Sequence, residues 1–270
     1  MKVNNLTDSH TDALLDEAGL QALIDLAAAS TRMVALTGAG VSTESGIPDY
    51  RGPNGVWATG KIPTISDFLT NPETRRDYWD GRRTRYPDLA SKLPNRGHLA
   101  LAALQHAGRL GEIITQNIDG LHQKAGSPSE SVIELHGSAH QVKCLTCGRT
   151  WPAAHIQERL MAGEEEPTCE VCGGILRAAT VLFGESLPQD ALRAAAQAAA
   201  NCDVFLVVGS SLVVNPAAQL PLVAQRAGAR LAIVNHTPTG LDSRADIAVR
   251  MDAGPALAVL SLNLLRHAIV

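Results

Sequence analysis

Short apolar runs that end in glycine or polar residues, separated by stretches with helical spacing, restrict the fold of this sequence more than any other feature. Met33–Thr37 is apolar up to its last residue and leads into Gly38-Ala39-Gly40, as a strand buried on both faces and closed by a tight turn would. Similar runs recur at Ile113–Thr115, Val132–Leu135, Val181–Phe183, Val204–Val208, Leu231–Val234 and Ile247–Val249. A first helix is marked by Leu20, Leu23, Ile24, Ala27 and Ala28, and further ones by Leu99–His106, Ala191–Ala200, Ala217–Ala227 and Ala256–His267. Strands alternating with helices predict an α/β protein with a doubly wound, mostly parallel sheet. The clearest unit is Val204–Val208, the turn Gly209-Ser210-Ser211, a helix after Pro216 and the run Leu231–Val234, a βαβ crossover.

Two segments break the alternation. Residues 57–96 carry Pro63, Pro72, Pro87, Pro94 and a cluster of arginines, which suits short helices in an inserted lobe. Residues 141–177 hold two CxxC pairs, Cys144-Cys147 and Cys169-Cys172, with Glu164-Glu165-Glu166 and little apolar material. A segment so poor in core formers needs a staple. Two CxxC hairpins bring four thiolates onto one tetrahedral zinc, although the loop 148–168 is slightly long for ribbon-type sites. Glycines follow both hairpins (Gly148, Gly173, Gly174), as a tight knuckle requires. Four free or redox cysteines are the alternative. A closed four-sulfur shell leaves no open position, so such a zinc folds its lobe and does not catalyse.

Composition removes several functions. With 23 basic and 27 acidic residues the net charge is −4, which argues against a general nucleic-acid or anionic-membrane binder. Only 3% of residues are aromatic, too few for base-stacking platforms. No apolar run approaches a membrane span, and the acidic start lacks the pattern of a signal peptide. The expectation is a soluble cytoplasmic protein.

Three polar motifs end predicted strands, where open α/β sheets bind ligands. Gly38-Ala39-Gly40 suits a phosphate loop, although Thr43 stands where the full fingerprint has a third glycine. A structural turn is the plainer reading. Thr115-Gln116-Asn117-Ile118-Asp119-Gly120 offers amides and a carboxylate, or simply a strand-ending turn. Glu134-Leu135-His136-Gly137 puts an imidazole directly after a strand and before glycine. An imidazole there suits a general base at neutral pH, although a lone histidine is more often a surface or satisfied core residue.

Several of these motifs together, in order and spacing, resemble the sirtuins, the NAD-dependent protein deacylases, of the bacterial, class II-like kind. The stretches are GAGVSTESGIPDYRG (38–52), TQNIDGLH (115–122), ELHGS (134–138), CLTC (144–147) and CEVC (169–172), VLFGE (181–185), VVGSSL (207–212) and IVNHTPT (233–239). The resemblance spans about residues 20–260. It implies a Rossmann-like domain (1–56, 97–140 and 178–270) with a smaller domain made of a helical insert (57–96) and a zinc ribbon (141–177). It implies NAD in the cleft between them, meeting an acylated lysine of a protein substrate, with no nucleic acid or membrane partner.

In that picture Gly38, Ala39, Gly40, Ser42 and Arg51 hold the phosphates and nearby ribose, and Asp49 and Tyr50 belong to a loop over the reacting ribose. Gln116 contacts that ribose, while Asn117, Ile118 and Asp119 line the nicotinamide pocket, Asn117 and Asp119 being counted as catalytic with His136. Gly209, Ser210, Ser211, Asn235, His236, Thr237 and Ala253 take the adenosine side. Val181, Phe183, Gly184 and Glu185 match the substrate-pairing segment, and Cys144, Cys147, Cys169 and Cys172 hold structural zinc. The implied reaction releases nicotinamide, bonds the acyl oxygen to the ribose carbon and uses His136 to deprotonate a ribose hydroxyl, giving O-acyl-ADP-ribose. Members that prefer acidic acyl groups carry Tyr-x-x-Arg in the insert. Here Tyr78 is followed three places later by Gly81, with Arg82 and Arg83 beyond, a shifted register that also reads as an exposed arginine-rich helix. Acyl preference, protein targets and oligomeric state stay open.

The competing functions are mono-ADP-ribosyl transfer from the same site, a dehydrogenase, and a non-catalytic NAD-binding or zinc-ribbon scaffold. Release of free nicotinamide excludes the dehydrogenase, the product separates transfer from deacylation, and His136→Ala singles out a scaffold, which would keep its function.

Overall fold

A computed structural model describes residues 16–49 and 64–266. Its larger sheet contains six parallel strands: β1 (Met33–Thr37), β2 (Leu110–Thr115), β3 (Val132–Glu134), β7 (Val204–Val208), β8 (Arg230–Val234) and β9 (Ile247–Val249). They lie in the order β3-β2-β1-β7-β8-β9, so the chain winds outward in both directions from β1, and β1 and β7 flank the topological switch point. Thr37 is level with Thr115 on one side and Val208 on the other.

Every residue of β1 and β7 is buried, because both strands are central and both faces are covered. Side chains alternate between faces. Met33, Ala35, Leu206, Val208, Ala232 and Val234 meet α1 (Glu17–Ala29), α4 (Arg96–His106) and α9 (Ala253–Arg266). Val34, Leu36, Phe205, Val207, Leu231 and Ile233 meet α7 (Gln189–Asn201) and α8 (Leu220–Arg226).

The smaller sheet is antiparallel, with β4 (Gly137–Cys144) between β5 (Thr150–Pro152) and β6 (Leu176–Thr180). Against it pack α6 (Ala153–Met161) and α3 (Pro72–Ser91), around Trp79, Tyr86, Val142, Ile156, Leu160 and Leu176. Two further helices are short, α2 (Ile65–Thr70) and α5 (Leu121–Lys124). Among the described residues no helix is long and apolar enough to cross a membrane.

The structure corrects three expectations. Val181–Phe183 is not a strand of the parallel sheet. The strand lies just before it, at β6, and joins the smaller sheet, where buried Arg177 is neutralised by Glu185 through contacts of 2.8 and 2.9 Å. That sheet thus runs from Gly137 to Thr180, beyond both ends of the cysteine-rich stretch.

The insert does not consist only of short helices, since α3 has 20 residues. Asn71 caps its start through the Glu73 N–H, and Pro72 opens it, where a missing N–H costs nothing. Pro87 falls in its last turns and leaves the Arg83 carbonyl without a helical donor. Gln157 Nε2 donates to that carbonyl at 2.8 Å and so offsets the loss.

The expected helix at 217–227 is divided into a short 3₁₀ turn (Ala217–Gln219) and α8, whose first turn contains Pro221.

Candidate functional site

The turns after β1, β2, β3 and β7 converge at the carboxyl ends of the central strands. Gly38 continues β1 in extended backbone and Ala39–Val41 forms one 3₁₀ turn. Gly38 N–H donates to Val208 O and Gly40 N–H to Gly209 O. A Cβ on Gly38 would lie 2.7 Å from Gly209 O, and one on Gly40 would lie 2.8 Å from Gly209 Cα. Glycine is therefore required for two backbones to cross, before any ligand is considered. Gly209 itself has φ +60°, a left-handed conformation that suits glycine.

Beneath this crossing lies a buried polar network. Ser42 Oγ donates to Asp119 Oδ2 at 2.7 Å and accepts from Asn117 Nδ2 at 3.1 Å. Its hydrogen is thus committed, so His98 Nε2, at 3.3 Å, is the donor in that pair, and His98 Nδ1 accepts the Asn95 N–H. Asn117 Nδ2 also donates to Gly38 O, and Asp119 Oδ1 accepts the Leu121 N–H. On the adjoining side His122 Nε2 donates to Thr37 Oγ1, which donates onward to Thr115 Oγ1, each at 2.9 Å.

Burial pushes His98 down to about 4, against the opposing charge of Asp119. Burial, reinforced by His98, pushes His122 down to about 3. Both rings are neutral at pH 7. Ser42, Asn117, Asp119, Ser210 and Asn235 are all buried polar residues at this edge. A donor and acceptor set concentrated over two glycine turns fits a polar dinucleotide.

His136 occupies the single position between Leu135 and the start of β4. Its Nδ1 lies 2.7 Å from Gln116 O. A carbonyl only accepts, so Nδ1 carries the proton and Nε2 presents a lone pair, with no hydrogen-bond partner among the described residues. Burial lowers the pKa of this imidazole, partly offset by the Gln116 carbonyl. Gly137 follows with φ +70°, and a Cβ there would come within 1.9 Å of Ala179 O. Only glycine lets the chain turn from one sheet into the other at this point.

On the β7 side Gln116 Nε2 donates to Ser210 Oγ at 2.9 Å. Ser211 is half-buried beside it. Asn235 Nδ2 donates to Thr237 O, exposed His236 pairs with Asp252, and Ala253 opens α9. These residues share the same sheet edge. Asp49 ends the first described segment, whereas Tyr50 and Arg51 lie outside the described residues.

The expected substrate segment divides. Val181 N–H donates to His136 O at 3.0 Å, while Phe183 is partly exposed and its carbonyl accepts from Ile65 N. Gly184 turns the chain at φ +81°. Glu185 is occupied elsewhere. Burial raises its carboxyl, but Arg177, the Leu182 N–H and Lys143 hold it below the ordinary carboxylate range.

The four cysteine sulfurs lie within 4.8 Å of one another. Cys144–Cys172 and Cys147–Cys169 are 3.5 and 3.7 Å apart, close to the roughly 3.8 Å edge of a tetrahedron with zinc–sulfur bonds near 2.3 Å. The hairpins are equivalent: Gly148 N–H returns to Cys144 O and Gly173 N–H to Cys169 O. The set fits zinc. In the acidic triplet Glu164 pairs with Arg159 and Glu166 with Arg75, while Glu165 is exposed.

Of the insert's arginines, Arg82 and Arg83 are half-buried and tied down, whereas Arg76 and Arg85 are exposed. Arg82 Nη2 donates to Ala139 O at 2.6 Å and Arg83 Nη1 to Leu160 O at 2.7 Å, while Tyr78 Oη accepts the Ala178 N–H. Tyr78, Arg82, Arg85 and Tyr86 line a cavity of about 170 Å³ that reaches Ile118 and Thr180. Sequence reasoning missed His98, His122 and Arg177. His122 lay within a motif already singled out, whereas His98 and Arg177 acquire their roles from long-range packing that no local spacing announces.

The sequence profile of the Sir2 family matches residues 38–216. The chain is 41% identical over 240 residues to the "NAD-dependent protein deacetylase" of Rhodopseudomonas palustris, covering 89% of this chain and 95% of the relative. It is 47% identical over 229 residues to "NAD-dependent protein deacetylase 2" of Streptomyces coelicolor, covering 83% and 94%. Among solved structures, a chain from "Structural Basis for the Mechanism and Regulation of Sir2 Enzymes" superposes with TM-score 0.83 at 40% identity, covering 93% of this chain and 99% of that one. The "Sir2-p53 peptide-NAD+" complex gives TM-score 0.79 at 36% identity, covering 92% and 98%.

Proposed function

The chain belongs to the Sir2 family, and from that membership we propose that it removes acyl groups from protein lysine with NAD as co-substrate and His136 as general base. One observation carries the assignment of the base: the Gln116 carbonyl fixes the proton on Nδ1 and leaves Nε2 bare at the ligand edge of the sheet. Lowered by burial, the ring is neutral and able to accept a proton at pH 7.

NAD, when bound, would supply the ribose carbon that nicotinamide leaves and that takes the acyl oxygen; with one water consumed, the products would be free lysine, nicotinamide and O-acyl-ADP-ribose. His136 Nε2 takes the proton of a ribose hydroxyl. Gly38, Ala39, Gly40 and Ser42 cradle the phosphates, and Gln116 orients the ribose through its tie to Ser210. Asn117, Ile118 and Asp119 form the nicotinamide pocket, with both carboxylate oxygens of Asp119 already engaged. Gly209, Ser210, Ser211, Asn235, His236, Thr237 and Ala253 form the adenosine side. Val181, Phe183 and Gly184 meet the substrate, and Glu185 acts indirectly by holding their loop to Arg177. Cys144, Cys147, Cys169 and Cys172 bind a zinc that shapes the smaller domain and takes no part in chemistry. Four thiols kept for a metal call for a reducing compartment, which supports the cytoplasm as the working location.

The test is an acyl-lysine peptide panel incubated with NAD and followed by mass spectrometry. O-acyl-ADP-ribose is expected from the native chain. His136→Ala should lower kcat by about 10²–10⁴ with NAD binding largely retained. ADP-ribose left on protein, with no deacylated peptide, would move the assignment to ADP-ribosyl transfer.

A further inference from the structure

Between Ser138 and Val142 the β4 strand leaves its ladder. Ser138 is level with Ala179 and Val142 with Ala178, so Ala139, His140 and Gln141 bulge away from β6. Ser138 Oγ accepts the His140 N–H within the bulge, at 3.3 Å. The bulge carries two groups to the turn after β2: Ala139 N–H donates to Ile118 O at 2.9 Å, and His140 Nε2 lies 2.7 Å from Asp119 O. Because a carbonyl only accepts, Nε2 is the donor. The ring also covers the next residue, since a Cβ on Gly120 would lie 2.9 Å from His140 Cδ2.

The bulge is braced from behind by α3. Tyr86 meets the His140 ring edge-on at 5.9 Å between centroids. Arg82 stacks on Tyr86 at 4.6 Å and donates to Ala139 O. A continuous run of contacts thus joins the helical insert to the backbone of Ile118, Asp119 and Gly120.

The geometry points to His140 as a positioning residue that sets the Asp119 turn, and through it the grip of the site on nicotinamide. This rests on the reading of Asn117, Ile118 and Asp119 as the nicotinamide pocket. Both carboxylate oxygens of Asp119 are held from the larger domain, by Ser42 and by the Leu121 N–H. Its carbonyl is held from the smaller one by His140. Losing that bond frees the peptide plane to rotate and tilts the carboxylate, a displacement felt at the leaving group and not at the peptide channel.

The test uses the full zinc-loaded chain, nicotinamide, NAD and an acetyl-lysine peptide, with His140→Leu, His140→Asn, His140→Gln and Asp119→Asn. Glutamine carries an N–H at the reach of imidazole Nε2, whereas asparagine falls short. The leucine and asparagine variants should weaken nicotinamide inhibition and slow nicotinamide exchange by about tenfold, as for a misplaced binding group. The peptide KM should stay within about twofold, and glutamine should restore inhibition. If the leucine chain loses zinc or its melting midpoint collapses, the glutamine–asparagine contrast decides. Equal nicotinamide inhibition in those two, with Asp119→Asn impaired, overturns the role of His140 alone. Normal nicotinamide inhibition in Asp119→Asn overturns the pocket reading and this inference with it.

Discussion

A methyl group on Gly38 would collide with the Gly209 carbonyl, and neither backbone can retreat, because both continue central strands buried on two faces. Gly38→Ala should therefore lower stability by about 1–3 kcal/mol, the usual cost of overpacking, read as a shift of the urea midpoint. An unchanged midpoint would show that the crossing is looser than its distances imply. The buried histidines give a second residue-scale expectation. His98 and His122 are held near 4 and 3 chiefly by burial, against about 6.5 in an unfolded chain. The unfolded state therefore binds protons first on acidification. Stability should be full above about pH 6.5 and fall as pH drops toward the folded values, with His136, shifted the same way, adding to the slope. Urea midpoints from pH 7.5 to 4.5 check this above the range in which most carboxylates titrate, and a flat profile would contradict it.

Among the elements, legibility followed burial symmetry. β1 and β7 are apolar along their whole length because both faces are covered, so their runs stood out in the sequence, and the glycine turns after them were equally visible. β6 was hidden. Leu176-Arg177-Ala178-Ala179-Thr180 holds a guanidinium whose burial makes sense only once Glu185 folds back on it, and the apolar run after it drew the strand assignment instead. The long α3 was hidden by Pro87, whose freed carbonyl finds Gln157 on another helix. The site divided in the same way: strand-end positions such as His136 and Gln116 could be read locally, whereas His98 and His140 gain meaning only through partners that packing brings together. The cysteine spacing was legible because metal geometry is local to each hairpin. It leads to a prediction for the element it staples. Chelating zinc should melt the β4–β5–β6 sheet, seen as rapid proteolysis within 137–180, while the six-stranded sheet keeps its circular dichroism. Resistance of that segment without zinc would mean that the core around Trp79 and Val142 suffices on its own.

For the whole molecule, the shortest passage of the chain from one sheet to the other is a single short crossing. β3 belongs to the parallel sheet, β4 opens the antiparallel one, and only Leu135 and His136 lie between them. The imidazole is moored to the first sheet through Gln116 O, and its own carbonyl accepts the Val181 N–H that follows the second. Further ties reach across nearby, from Ala139 and His140 to the Asp119 turn and from Lys124 Nζ to the carbonyls of Ala90 and Lys92 at the end of α3. A point on a rotation axis travels least. The imidazole proposed as the general base therefore stands at the crossing itself, tied toward both sheets, and a rotation about that crossing would displace it less than any group further out.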